Sequence, residues 1–148
     1  MDEYNKATLR KLVREFQDGG RLWDALGEAC RWNLLDEIRT FLQAENVTAD
    51  QRNENLQTAS MLANTPEAMA ILLDAGADIN AVDANGNTPL ISFLRCRYKK
   101  AEAKRFLRYV IAQGANTDAV AIDGTSAIDL AQDRYNICLN SLIDGKRK

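Results

Sequence analysis

Carboxylates and thiols are the first residues to weigh for chemistry. Asp78, Asp83, Asp118 and Asp123 recur in two glycine-bounded loops, GADINAVDANG and GANTDAVAIDG. Acids that recur with a loop are better explained as turn formers, whose side chains accept hydrogen bonds from backbone N–H groups two residues on, than as a catalytic pair. The same glycines lack the strand context and spacing of a phosphate-binding loop. Histidine is absent, which removes the commonest general base, every Ser-His or Cys-His nucleophile pair and most zinc sites. Cys30, Cys96 and Cys138 are odd in number and widely separated, so neither a disulfide framework nor a zinc knuckle is indicated. No catalytic, metal or cofactor residues can be named, and the chain reads as a non-enzyme.

Charge is the other resource. Arg95, Arg97, Lys99, Lys100, Lys104, Arg105 and Arg108 stand against one acid, Glu102, while residues 61–94 hold four acids and no base. This is the one strong asymmetry in a chain of net charge −2. Read plainly it is a solvated helix extension. Read functionally it is a docking surface for an acidic protein face, and less readily for nucleic acid, since no nucleic-acid motif accompanies it.

These residues need elements to position them. Met69, Leu72 and Leu73 lie on one helical face, and Gly76 supplies the positive φ that closes a helix. A turn-rich stretch, Ala77 to Asn87, follows, and Thr88-Pro89 is a helix start with proline in the first turn. Helix, hairpin-like loop and helix therefore form one unit. It occurs again at a constant offset of 38 residues, from Gly76 to Gly114, Gly86 to Gly124 and Thr88 to Ser126.

The stretch LLDAGADINAVDANGNTPL closely resembles the ankyrin repeat, with its paired-Leu helix end, Gly-Ala-Asp, and Asp-x-x-Gly-x-Thr-Pro-Leu. An offset of 38 residues exceeds the family's usual ~33, so the surplus falls between Leu94 and Phe106, in a longer helix or turn. The resemblance implies an all-α fold: a solenoid of antiparallel helix pairs with an N-terminal capping helix. Residues 1–148 are expected to form a single domain, with the cap over 1–20, repeats over 21–53, 54–82, 83–120 and 121–145, and a polar tail over 146–148.

In the first repeat Ala25-Leu26 takes the Pro-Leu place, Ala29 the small inner-helix position, and Ile38, Phe41 and Leu42 the buried face. Its closing loop, Glu45 to Asn53, is expected to be irregular. The second repeat is expected to have its inner helix over Asn55 to Ala63 and its outer helix over Thr65 to Asp74. Cys30 falls where the family carries a small buried residue. The family commonly places a His after Thr-Pro-Leu to tie neighbouring repeats; Ile91, Gln57 and Asp129 are assigned to those places, which implies weaker polar ties.

Function by resemblance is binding of another protein through hairpin tips and the exposed face of the inner helices. Carried over by position, those places fall on Trp23, Arg31, Trp32, Met61, Leu62, Asn85, Asn87, Arg95, Arg97, Lys99, Lys100, Asp133 and Arg134, with Ala84, Cys96, Ile122 and Thr125 beside them. Trp, Met and Arg are hot-spot types when exposed. Asn80 occupies the hairpin position that some oxygenases hydroxylate in this family, although loop stabilisation suffices to explain it. An inhibitor, immunity protein or adaptor is the expected class. The alternative is a secreted effector or nucleic-acid-associated protein using residues 95–108.

With no apolar signal core in MDEYNKATLRKLVREF and no run of ~20 apolar residues, a cytoplasmic protein without membrane contact is expected, monomeric when unbound.

Overall fold

Short polar residues open three of the helices, and left-handed residues follow several of them. Thr65, Thr88 and Ser126 each accept, on the side-chain oxygen, the N–H of the residue three further on: Ala68 at 3.2 Å, Ile91 at 3.2 Å and Asp129 at 3.0 Å. Each thereby satisfies one of the donors a helix start leaves open. The computed structural model describes residues 3–18, 22–43 and 47–144. Eight α-helices lie within them: α1 (Glu3–Asp18), α2 (Leu22–Arg31), α3 (Leu35–Leu42), α4 (Pro66–Asp74), α5 (Pro89–Arg95), α6 (Lys100–Ala112), α7 (Ala127–Tyr135) and α8 (Leu139–Asp144). A single 3-10 turn over Ala59–Met61 sits between α3 and α4. Among the described residues there is no strand, only an isolated bridge between Val120 and Ser126.

The helices stack in two rows. The inner row runs α2, the 3-10 turn, α5, α7; the outer row runs α3, α4, α6, α8, each element packing on the next in its row. The helix α1 packs on α2 at one end, with Val13 fully buried. One core runs through the whole stack, from Val13 to Leu142. This is how units that cannot bury an apolar face alone become stable together. Cys30 lies in that core, and burial pushes its thiol up to about 12, so it is inert filler. The end of the expected N-terminal cap, at residues 19–20, and the polar tail at 146–148 lie outside the described residues.

The surplus in the third unit is a longer outer helix. Whereas α4 has 9 residues, α6 has 13, and it is preceded by the turn Cys96 to Lys99. Tyr135 of α7 holds that turn: its hydroxyl donates to the Cys96 carbonyl at 2.6 Å and accepts the Tyr98 N–H at 3.1 Å. The Tyr98 ring stacks on Phe93 at 4.6 Å, and Phe93 stacks on Phe106 at 4.1 Å. The basic extension is thus pinned on both sides.

The second unit departs from expectation. An inner helix over Asn55 to Ala63 does not form; residues 53–57 instead make the same turn as 83–87 and 121–125. In each the first N–H bonds the last carbonyl: Asn53 to Gln57 at 3.1 Å, Asp83 to Asn87 at 3.0 Å, Ala121 to Thr125 at 2.9 Å. The fourth position has positive φ in all three, at +76° for Gly86, +85° for Gly124 and +60° for Leu56. Thr58 therefore matches Thr88 and Ser126, and Met61, not Gln57, occupies the place assigned to the family's His. The inner helix shrinks to the 3-10 turn, with Thr58 and Ser60 buried and sharing a 2.8 Å hydrogen bond.

A left-handed leucine is strained by about 1–2 kcal/mol. Because glycine also adds freedom to the unfolded chain, Leu56→Gly is expected to stabilise by only about 0.5 kcal/mol. Gly86→Ala should do the opposite and cost more, because a Cβ there would meet the Ile122 nitrogen at 3.1 Å. Urea midpoints of the two variants moving in the same direction would contradict this account of the turn.

Polar ties join the units without a histidine. Successive hairpins are joined by Ala84 N–H to Asn55 O at 3.0 Å and Ile122 N–H to Asn85 O at 2.9 Å. Asn80 bridges to the next unit twice, donating to the Gly114 carbonyl at 3.1 Å and accepting the Asn116 N–H at 2.8 Å. At the other edge, Asn64 donates to the Arg31 carbonyl at 2.9 Å and Thr65 to the Asn33 side chain at 2.6 Å. Backbone groups, asparagine side chains and a threonine hydroxyl make these connections.

Candidate functional site

The residues singled out from the sequence do not form one surface. A first group gathers on the hairpin row. Asp83, itself buried, accepts the N–H groups of Asn85 at 2.8 Å and Asn87 at 2.9 Å on one oxygen, and the Asn87 amide at 3.2 Å on the other. Asn87 is thereby buried in the turn, while Asn85 stays exposed. Arg95 reaches back from the end of α5 to the Asn87 side-chain oxygen at 2.9 Å and to both Asp123 oxygens, at 3.3 and 3.2 Å. Hydrogen bonds from Thr125 foremost, with Arg95 adding to them, hold the Asp123 carboxyl below its usual range. Asn85, Asn87, Arg95, Asp123 and Ile122 line a shallow cleft of about 380 Å³. Ile122 is 78% exposed, and Leu56, Val82 and Val120 on the same set of loops are also exposed. Sequence reasoning missed Val82 and Val120; their 38-residue spacing was the available signal.

A second group gathers where inner helices hand over to outer ones. Arg97, Tyr98, Asp133, Arg134 and Tyr135 line a cleft of about 420 Å³ between the Cys96 to Lys99 turn and the end of α7. Burial first, with Cys96 adding to it, pushes the Tyr98 phenol up to about 12, and burial also raises Tyr135. Both phenols are neutral at ordinary pH, so charge in the cleft comes from Arg97, Arg134 and Asp133. Lys99 and Lys100 are exposed beside it, Lys100 donating to the Asn136 carbonyl at 3.3 Å. Tyr135 gave no spacing signal, because the groups it holds are 37 and 39 residues away.

A third group lies at the α2 to α3 corner. Trp32 is 41% exposed and donates to Glu28 at 3.0 Å, and the same carboxylate pairs with Arg31 at 3.4 Å. The side chain of Trp23 lies outside those described. Met61 and Leu62 are corrected: Met61 is only 5% exposed, and Leu62 is half-buried against the core, because the four-residue register change turns this segment inward.

Of the remaining basic residues, Arg105 pairs with Glu67 across α6 and α4 and, chiefly by that hydrogen bond, holds the Glu67 carboxyl below its usual range. Among the described residues no group of three or more His, Cys, Asp or Glu side chains could hold a metal ion, and no helix is long and apolar enough to cross a membrane.

Two rows of paired helices, joined by glycine-closed turns and hairpins, define the class. Residues 56–108 match the family model described as ankyrin repeats (many copies). The chain is also similar to the ankyrin repeat domain-containing protein M-T5 of Myxoma virus (strain Lausanne), 34% identical over 82 residues, which are 55% of this chain and 17% of that relative. The described residues form an all-α array consistent with the ankyrin-repeat fold, and the match to the family spans residues 56–108. Such repeats are in general protein-interaction modules and typically non-catalytic.

Proposed function

We propose that this chain is a non-catalytic binding module whose hairpin row, with Trp32 as an outlying anchor, occupies another protein, as an inhibitor, immunity protein or adaptor would. It acts in the cytoplasm as one domain divided near residues 20, 53, 82 and 120, and is monomeric when unbound. The observation that carries the reading is the combination of exposure and rigidity in the hairpins. Leu56, Val82, Val120 and Ile122 present apolar side chains to solvent on turns whose backbones are hydrogen-bonded to one another. Exposed apolar groups on a preorganised scaffold lose little entropy on docking.

Affinity capture from the native host, run side by side with wild type and Ile122→Asp/Trp32→Ala, tests it. A protein retained by the wild type and lost by the folded variant supports the reading. Equal retention by both removes the hairpin row from consideration.

A further inference from the structure

The cleft at the third-to-fourth handover carries features that packing alone does not explain. Arg97 and Arg134 both line it, and neither makes an ion pair among the described residues, although Asp133 lines the same cleft. In the same basic run Arg95 pairs with Asp123 and Arg105 with Glu67, while Arg108, like Arg97, makes no ion pair among the described residues. The turn carrying Arg97 is held by the Tyr135 hydroxyl and by the Tyr98 stack on Phe93, so its place is set before anything binds. Lys100 adds a further cation, tied only to a neutral carbonyl. Two guanidinium groups near a single acid, on a braced turn, are arranged to receive carboxylates, which a planar guanidinium meets through paired hydrogen bonds.

We propose that this cleft binds an acidic segment of the partner protein, with Asp or Glu side chains on Arg97 and Arg134. This rests on the protein-binding reading above and adds a second contact with a stated chemistry. Asp133 decides between acidic protein and nucleic acid. A peptide brings backbone N–H groups that a carboxylate can accept; a phosphodiester backbone brings only further negative charge and acceptors. Tyr135 is a positioning residue: it sets the turn and makes no ionic contact of its own.

The test uses the full chain labelled with nitrogen-15, titrated separately with hexaglutamate, hexaglutamine and a twelve-residue thymidine oligonucleotide. Hexaglutamate is expected to move the amide signals of residues 96–100 and 133–136 saturably, and hexaglutamine is not. Removing both charges in Arg97→Gln/Arg134→Gln should weaken hexaglutamate about tenfold or more, with the rest of the spectrum unchanged. Tyr135→Phe retains both charges and should weaken binding severalfold while speeding amide exchange at Tyr98.

Shifts scattered over the whole surface, an unchanged affinity in the double variant, or tighter oligonucleotide binding at the same residues would each overturn the proposal. In the host capture experiment the two ideas separate. A partner lost by Ile122→Asp/Trp32→Ala but kept by Arg97→Gln/Arg134→Gln leaves the hairpin reading standing and ends this one; the reverse pattern ends the hairpin reading alone.

Discussion

Phe106→Ala is expected to lower stability by about 3–5 kcal/mol, a large fraction of the ~5–15 kcal/mol available to a typical domain. Phe106 is fully buried in α6 and stacks on Phe93 at 4.1 Å, which in turn stacks on Tyr98. Removing the ring opens a cavity between the third inner and outer helices and also loosens the platform under the basic turn. Since neighbours in a repeat array stabilise one another through their shared faces, the loss should spread to α7 and α8 as well. Urea unfolding followed by circular dichroism measures it, with Phe106→Leu as the milder control. A loss under about 1 kcal/mol would show that the aromatic stack does not hold the third unit together.

Asp83→Ala is expected to cost about 2–4 kcal/mol. The buried carboxylate accepts two backbone N–H groups and one amide, all of which lose their partner together. The hairpin it shapes also places Asn85 to receive the Ile122 N–H, so the damage should reach the fourth hairpin. Asn53 performs the matching task in the earlier hairpin, accepting the N–H groups of Asn55 at 2.9 Å and Gln57 at 3.0 Å, but is only half-buried. Water can replace part of what is lost there, so Asn53→Ala should cost about half as much or less. Equal losses in the two variants would mean that burial of Asp83 adds nothing.

The legible parts of this fold were those written in short-range chemistry. Thr65, Thr88 and Ser126 cap helices three residues on, and Gly76, Gly86, Gly114 and Gly124 take positive φ, as a residue without Cβ favours. The turn at residues 53–57 was illegible because a leucine holds its left-handed position. Nothing in a leucine side chain announces that conformation; distant bonds support it instead, including Arg52 donating to both the Leu56 and Val82 carbonyls. Missing that turn shifted the second unit by four residues and placed Met61 on the surface, where the structure buries it. The candidate sites divide in the same way. Asn85, Asn87 and Arg95 line one cleft and Arg97, Asp133 and Arg134 another, with Lys99 and Lys100 exposed beside the second, a separation that position along the chain did not reveal.

By itself, the order of residues determined the helix pairs of the first, third and fourth units, their repeat, the place of the third unit's surplus between Leu94 and Phe106, and the absence of histidine, because each depends on residue type and local spacing. Tertiary structure alone decided which side chains face outward, where the second unit's turn falls, and that Tyr135 braces the basic turn from 37 residues away. Contacts between groups so far apart along the chain leave no periodic trace in it, and their energy exists only once the helices have stacked.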